Sequence, residues 1–555
     1  MAENSTNHFS NRDLFKYITK EKRDVADIYI YSILSGLVQL SIPLGIQAII
    51  SFAMGSTMVT SLYLLIGFVV LGTFFAGLFQ IRVMQIIEKI QQKIFVEYAL
   101  AFAEKLPKVN LATTKKYFLP ELANRFFDAP NLQKGISKLL LEIPTALIQI
   151  LFGILLLAFY HPWFLGFGAT ILVIVVFIFR FTMSSGIESS IMESNKKYDV
   201  ASWLEDVAAS VKTFKINAKA NSHLKEADDR VVSYLKHRTI HFKILLLQYW
   251  TIVGFKMLIT LLMLAIGTYL LVNQELNVGA FIATEIVVLS ILGAVEKLIK
   301  SIESYYDVIT SLAKLSKVTD LPEEPTADIE LESSSEGMEV VLNDISFHFN
   351  DKRLILNNLD LKFPKNSLTV INGQSGAGKS LLINLLSGFY EPSTGTILFD
   401  NIPMKNLNKD SFRDLTGIYL EDMGVIKGTL LENIILGNES IGIDDVIKLS
   451  QAWGIQNFSA DFSNGLQTPL SETDTEISFS SRKKILLLRA MLGKKRLLLL
   501  ENPTDGLSEE FAAKLVDYFV KIKENTTVVI VSQSKELISR ADYTFNLYNG
   551  TVVKV

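Results

Sequence analysis

The chain has 555 residues, 49% of them hydrophobic, a formal net charge of −3 and no cysteine. That length points to more than one domain, and the near-neutral balance gives no reason to expect a nucleic-acid partner. The lack of cysteine excludes disulfides, thiolate metal sites and a cysteine nucleophile.

The polar first 25 residues lack the short apolar core of a cleavable signal peptide, so any membrane insertion falls to the body of the chain. A bilayer-spanning helix needs about 20 mostly apolar residues. Six stretches fit: 28–53, 60–81, 141–160, 163–183, 246–272 and 277–297. WFLGFGATILVIVVFIF (163–179) is apolar on every face, which argues for lipid rather than a soluble core. The short connections around MGSTMVT, YHPW and NQELN carry no Lys or Arg, whereas the N-terminal segment has Arg12, Lys16, Lys20, Lys22 and Arg23. The connections 83–140 and 184–245 are also rich in Lys and Arg. The positive-inside rule therefore puts both termini and both long connections in the cytoplasm of a multi-pass protein of the plasma or inner membrane, with lipid as its surroundings. The helical periodicity of KKYDVASWLEDVAASVKTF (196–214) makes these connections cytoplasmic extensions of the membrane helices. Glu285, inside the last apolar stretch, is by default a candidate for function; the plainer reading, a neutral hydrogen-bonded residue or a helix–helix contact, is preferred. Lys256 is expected to snorkel.

After about residue 315 the character changes. LPEEPTADIELESSSEGMEV reads as a linker. Beyond it, strand-like runs (LTVIN, LLLLE, TVVIVS) alternate with helical ones, the pattern of a parallel α/β domain. The expected division is a membrane domain over 1–317, a linker over 318–337 and an α/β domain over 338–555. INGQSGAGKS (371–380) lies between an apolar strand and a helix, the context a G-x-x-x-x-G-K-S phosphate loop requires. Gly373, Gly376 and Gly378 let successive N–H groups face phosphate oxygens, and the following helix adds its dipole. Lys379 is expected to reach the β- and γ-phosphates of ATP and Ser380 to ligate Mg2+. The nucleotide-binding set is Phe349, Gly373, Gln374, Ser375, Gly376, Ala377, Gly378, Lys379, Ser380 and Leu381.

Six spans followed by a phosphate-loop domain resemble an ABC exporter half-transporter over nearly the whole chain. The resemblance implies an all-α six-helix transmembrane domain followed by an α/β P-loop nucleotide-binding domain. FHF (347–349) places Phe349 where that family stacks an aromatic on adenine, and GTLLENIILG (428–437) is similar to the stretch after its Q-loop. YFLPELANRFFDA (117–129) resembles the first coupling-helix region, and the second is expected around 198–215. SIPLGIQ (41–47) resembles the branch that exports peptides and proteins by type I secretion. That branch often has an N-terminal peptidase-like domain, for which a first span starting near residue 28 leaves no room. The partners so implied are a second half-transporter, in a homodimer or heterodimer, and further secretion components.

The departures from the family cluster where hydrolysis happens. Its LSGGQ signature is replaced by ISFSS (477–481), followed by a matching basic helix RKKILLLRAML. Ser478, which would face the partner's ATP, is retained; Phe479 and Ser480 replace two glycines that allow close backbone approach. The Q-loop glutamine is Glu421 and the switch histidine is Gln533; the last histidine in the chain is His348. In RLLLLENPTDGLS (496–508), Pro503-Thr504 sets the register. Glu501 then takes the magnesium-side acid position beside Ser380 and Glu421, and Asn502 the general-base position. Read alone, LLLLE would be only a buried strand; after an intact phosphate loop it is assigned to the site. An amide cannot take a proton from the attacking water, and losing a general base costs about 10²–10⁴ in rate. The family implies ATP hydrolysis, while Asn502 and Gln533 imply that this chain cannot sustain it alone. A transporter subunit and an ATP-binding, non-hydrolysing scaffold or regulator both fit these residues.

Overall fold

The computed structural model describes residues 20–54, 60–114, 119–216, 221–349, 354–438, 440–453, 464–471 and 477–554. Arg12 and Lys16, the centre of the MGSTMVT connection, and Tyr117 and Phe118 lie outside the described residues. The chain divides into two units: Met1–Val109 with Lys116–Leu321, and Asn110–Lys115 with Pro322–Val555.

The first unit is helical: α1 Lys22–Gln39, α2 Ser41–Met54, α3 Thr60–Lys105, α4 Asp128–Tyr160, α5 Trp163–Ala209, α6 Ser222–Val272 and α7 Val278–Thr319. Among the described residues, five helical segments are long and apolar enough to cross a membrane: Lys22–Met54, Thr60–Lys108, Leu119–Tyr160, Ser222–Val272 and Val278–Thr319. The remaining expected span, 163–183, lies in α5, whose described apolar run is Gly166–Phe177. The 51 residues of α6 extend about 75 Å at 1.5 Å per residue, far beyond a hydrocarbon core of about 30 Å. The surplus is the charged half of the helix, so the long connections are largely continuous helix.

Helices α4 and α7 approach closely at small residues. A Cβ on Gly153 would lie 2.6 Å from Ile291 Cγ1. Ile291, Val295 and Tyr306 of α7 are wholly buried with Ile259 and Met263 of α6. Lys256, expected to snorkel, donates its ammonium to Glu296 at the end of the last apolar stretch, which also pairs with Lys300 at 2.6 Å. The neighbouring helix supplies a carboxylate within reach, so the charge is paired. Glu285 is half-buried. The stretch expected to hold the first coupling helix forms, in its described part, the short helix Leu119–Ala123 and a 3-10 turn Asn124–Phe127. Its Asn124 amide donates to Glu205 near the end of α5.

The second unit is α/β. Its elements that position the site are β1 Val340–His348, β2 Leu354–Phe363, β3 Leu368–Gly373, α8 Lys379–Leu386, β4 Thr394–Phe399, β5 Ile402–Pro403, β6 Thr416–Tyr419, α9 Phe479–Met491, β7 Leu497–Glu501, α10 Glu509–Ile522, β8 Thr527–Val531, β9 Tyr543–Tyr548 and β10 Thr551–Lys554. The main sheet has the order β10-β9-β3-β8-β7-β6. Its strands are parallel except for the β9–β10 hairpin. A smaller sheet, β2-β1-β4-β5, is antiparallel. The four leucines of β7 alternate between two cores: Leu497 and Leu499 join Ile383 and Leu386 of α8, while Leu498 and Leu500 join Ile485 and Leu488 of α9. Burial on both faces is why this strand is a continuous apolar run. Each leucine removed from water contributes about 1.5–3 kcal/mol.

Candidate functional site

The site forms at the carboxyl ends of β3, β7 and β8, where a parallel sheet ordinarily opens its binding crevice. The loop after β3 is a backbone structure. Gly373 has φ +146°, and a Cβ there would stand 2.2 Å from the Leu547 carbonyl oxygen. Gly376 and Gly378 are left-handed, at φ +81° and +99°. Gln374, Ser375, Gly376 and Ser380 are exposed, whereas Ala377 is buried and Leu381 packs on the core, so those two can offer a ligand only backbone.

Lys379 opens α8 and turns back: its Nζ donates to the carbonyls of Gly373 at 2.7 Å and Gln374 at 2.9 Å. Burial draws its pKa below the usual lysine value, and the Glu501 carboxylate opposes that. Gln533, just beyond β8, donates its amide to the same Gly373 carbonyl at 2.8 Å. Glu501 is buried at the end of β7, and its Oε2 accepts the Glu421 N–H at 3.2 Å. Glu501 has no ion-pair partner among the described residues. A buried, unpaired carboxylate at the end of β7 and an exposed Ser380 hydroxyl at the start of α8 are hard oxygen donors of the kind Mg2+ takes. The residues therefore fit the metal.

Asn502 is held by its backbone. Its φ is +44° and its N–H donates to the Val531 carbonyl at 2.8 Å. Asparagine tolerates the left-handed region better than most residues, so the backbone supplies a second reason for the amide at this position. Lys483 of α9, only 2% exposed, donates to the carbonyls of Asn502 and Asp505, both at 2.7 Å. Its Nζ lies 5.4 Å from the Phe479 ring centre and 5.7 Å from that of Tyr419. Burial lowers its pKa, opposed by Glu421 and Asp505.

Sequence reasoning missed Lys483, taking it as one of several basic residues on a helix. The available signal was position: it precedes Leu486 by three and Leu487 by four, on the face that α9 buries.

The ISFSS segment is attached to the same turn. Ser478 caps α9, its Oγ accepting the Ser481 N–H at 3.0 Å. Phe479 is 65% exposed, with its ring edge over Gly506, where a Cβ would stand 2.6 Å from Cε1. Phe349 is half-buried in an aromatic cluster with Phe347, at 4.9 Å between ring centres, and Tyr390, at 6.1 Å. The structure thus brings together the loop 373–380, Glu421, Glu501, Asn502 and Gln533, while Ser478 and Phe479 join them through Lys483 and Gly506.

Residues 356–505 match the family described as ABC transporter, and residues 28–295 match the ABC transporter transmembrane region. The chain belongs to the ABC transporters. This ABC transporter chain is 26% identical over 361 residues to the leukotoxin export ATP-binding protein LtxB of Aggregatibacter actinomycetemcomitans, covering 64% of the chain and 50% of that protein. It is 22% identical over 546 residues to the lactococcin-A transport/processing ATP-binding protein LcnC of Lactococcus lactis subsp. lactis, covering 97% of the chain and 75% of that protein. The matches to the first curated relatives span only 40–50% of their lengths. The fold is similar to a solved structure of a bacterial Atm1-family ABC exporter with ATP bound. The TM-score is 0.84, at 18% identity, over 96% of this chain and 94% of that one.

Proposed function

We propose that the chain is one half of an ATP-dependent exporter that binds Mg-ATP on loop 373–380 and hydrolyses it poorly by itself. In this reading it crosses the plasma or inner membrane six times, with α5 supplying the sixth crossing, and keeps both termini and the α/β unit in the cytoplasm. Segments 117–129 and 198–215 serve as its coupling regions. The observation that carries the reading is the contrast at one sheet edge: an open phosphate loop with its lysine and a buried acid, beside Asn502 and Gln533 where proton transfer would occur. Bound Mg2+ would supply charge neutralisation at the β- and γ-phosphates. Lys379 has two carbonyl bonds to exchange for phosphate contacts, and Phe349 offers a face for adenine. Asn502 cannot accept a proton, so water activation fails at that position.

The names of the leukotoxin and lactococcin relatives support a peptide or protein substrate, or another bulky amphipathic one. A half-transporter needs a second copy or a second chain to complete two nucleotide sites, and Phe479 bears on both. Paired with a partner carrying an intact general base, the chain would give one binding-only site and one working site. The test is ATP binding and hydrolysis by the full chain in lipid nanodiscs, with Lys379→Ala as control. ATP binding with turnover about 10²-fold or more below an ordinary transporter is expected. Full turnover abolished by the control would overturn the impaired-site reading, and absence of ATP binding would overturn the exporter reading. Persistent silence with every partner tried would favour the scaffold role.

A further inference from the structure

The helical unit contains a cavity of about 460 Å³ between α4, α5, α6 and α7 that the nucleotide site does not use. Its lining residues fall within 128–138, 190–197, 238–241 and 303–311, each just outside an apolar stretch and all at the same end of the four helices. Every side chain lining it is polar or charged, Gly135 aside. Much of that polarity is already engaged: Arg238 pairs with Glu193 at 2.9 Å, and Tyr198 donates to Asp128 at 2.7 Å.

Two rows of charge form no ion pair, although Lys138 and Asp307 attract one another across the cavity. Lys134 and Lys138 stand one turn apart on α4, so they share a face, and Glu303 and Asp307 do the same on α7. None of the four has an ion-pair partner among the described residues, although all line one cavity. Each row sets like charges against one another, which disfavours the empty arrangement. Ser194 adds an independent sign: it is only 7% exposed, lines the cavity, and its hydroxyl has no hydrogen-bond partner among the described residues. Buried polar groups are ordinarily satisfied.

We propose that this cavity binds a dipolar, charged peptide segment, its cationic group between Glu303 and Asp307 and its anionic group between Lys134 and Lys138. A dipole satisfies both rows at once; a purely cationic or anionic ligand satisfies one and leaves the other buried against it. The lining has no hydrophobic side chain to hold an acyl chain. The proposal deepens the exporter reading by naming a substrate class, and it depends on that reading only for the transport step after binding.

The test measures binding without ATP, on the full-length Lys379→Ala chain in nanodiscs, so that failure of the nucleotide reading leaves it intact. Four capped tetrapeptides serve as probes: Lys-Ala-Ala-Glu, Lys-Ala-Ala-Lys, Glu-Ala-Ala-Glu and tetra-alanine. Only the first should bind well, at least tenfold more tightly than the others. Lys134→Gln with Lys138→Gln, and Glu303→Gln with Asp307→Asn, should each weaken it at least tenfold, and Ser194→Ala severalfold. Lys134→Glu with Lys138→Glu should transfer preference to the dicationic peptide, a gain that misfolding would not produce. Equal binding of all four peptides, no binding, or variants indistinguishable from the parent would overturn the proposal. So would displacement by phosphoethanolamine with no peptide preference, which would assign the cavity to a lipid headgroup.

Discussion

The loop at 373–379 and the turn at 501–505 are tied in the same way. In each, a lysine with a pKa drawn down by burial donates to two backbone carbonyls at 2.7–2.9 Å. They differ in access. Lys379 stands at a solvent-exposed loop and can exchange its carbonyls for another acceptor, whereas Lys483 is sealed between α9 and the turn. The same bond pattern is therefore a resting position in one region and a permanent fixture in the other. In the proposed reading, nucleotide binding falls on the part of the edge that can move its charge, and Asn502 on the part that cannot.

Substituting the two lysines would break that comparison most directly. Lys483→Met removes two charge-assisted hydrogen bonds that hold the turn, to the carbonyls of Asn502 and Asp505, at about 1–3 kcal/mol each. Denaturant unfolding of the full chain should show about 2–5 kcal/mol lost from the α/β unit, and a change under about 1 kcal/mol would mean the turn holds without it. Lys379→Ala should barely move that midpoint but remove charge-assisted bonds to phosphate worth about 1.5–3 kcal/mol. Equilibrium ATP binding should then weaken about 10- to 150-fold, and unchanged affinity would sink the assignment. A smaller effect separates the two reasons for Asn502. Asn502→Gln keeps an amide but loses the short side chain suited to φ +44°, and should cost about 1 kcal/mol. Asn502→Gly should cost less. The reverse order would leave only the catalytic explanation for asparagine.

Much of the α/β unit was legible because its signals are local. INGQSGAGKS needs glycines at fixed positions for backbone reasons, and β7 needs apolar residues throughout because both faces are covered. The pairing of Lys256 with Glu296 was not legible. The two residues are 40 positions apart, on different helices, and charge in an apolar run looks alike whether it snorkels or pairs. Lys483 was hidden for a related reason: a basic residue on an amphipathic helix is usually solvated, and its acceptors are backbone atoms that no side-chain pattern marks. The six-span count rested on composition alone, and the fourth stretch, 163–183, lies within one continuous helix, Trp163–Ala209.

The smallest effect tests whether the ISFSS end was remodelled together with the turn or merely lost its glycines. Gly506 has φ +72°, and a Cβ there would press the Phe479 ring at 2.6 Å. Gly506→Ala therefore carries two penalties, a left-handed backbone of about 1–2 kcal/mol and a clash with an aromatic edge. Only the clash can be relieved from the other side. Phe479 is largely exposed, so Phe479→Ala alone should change stability by less than about 0.5 kcal/mol. In Gly506→Ala with Phe479→Ala, the double variant should recover about 0.5–1 kcal/mol relative to the sum of the singles, the coupling expected of residues in contact. Additive effects would mean the ring swings clear at no cost and the two positions are independent. Coupling would mean that the bulky residue at 479 and the glycine at 506 specify one shape, with Lys483 beneath it.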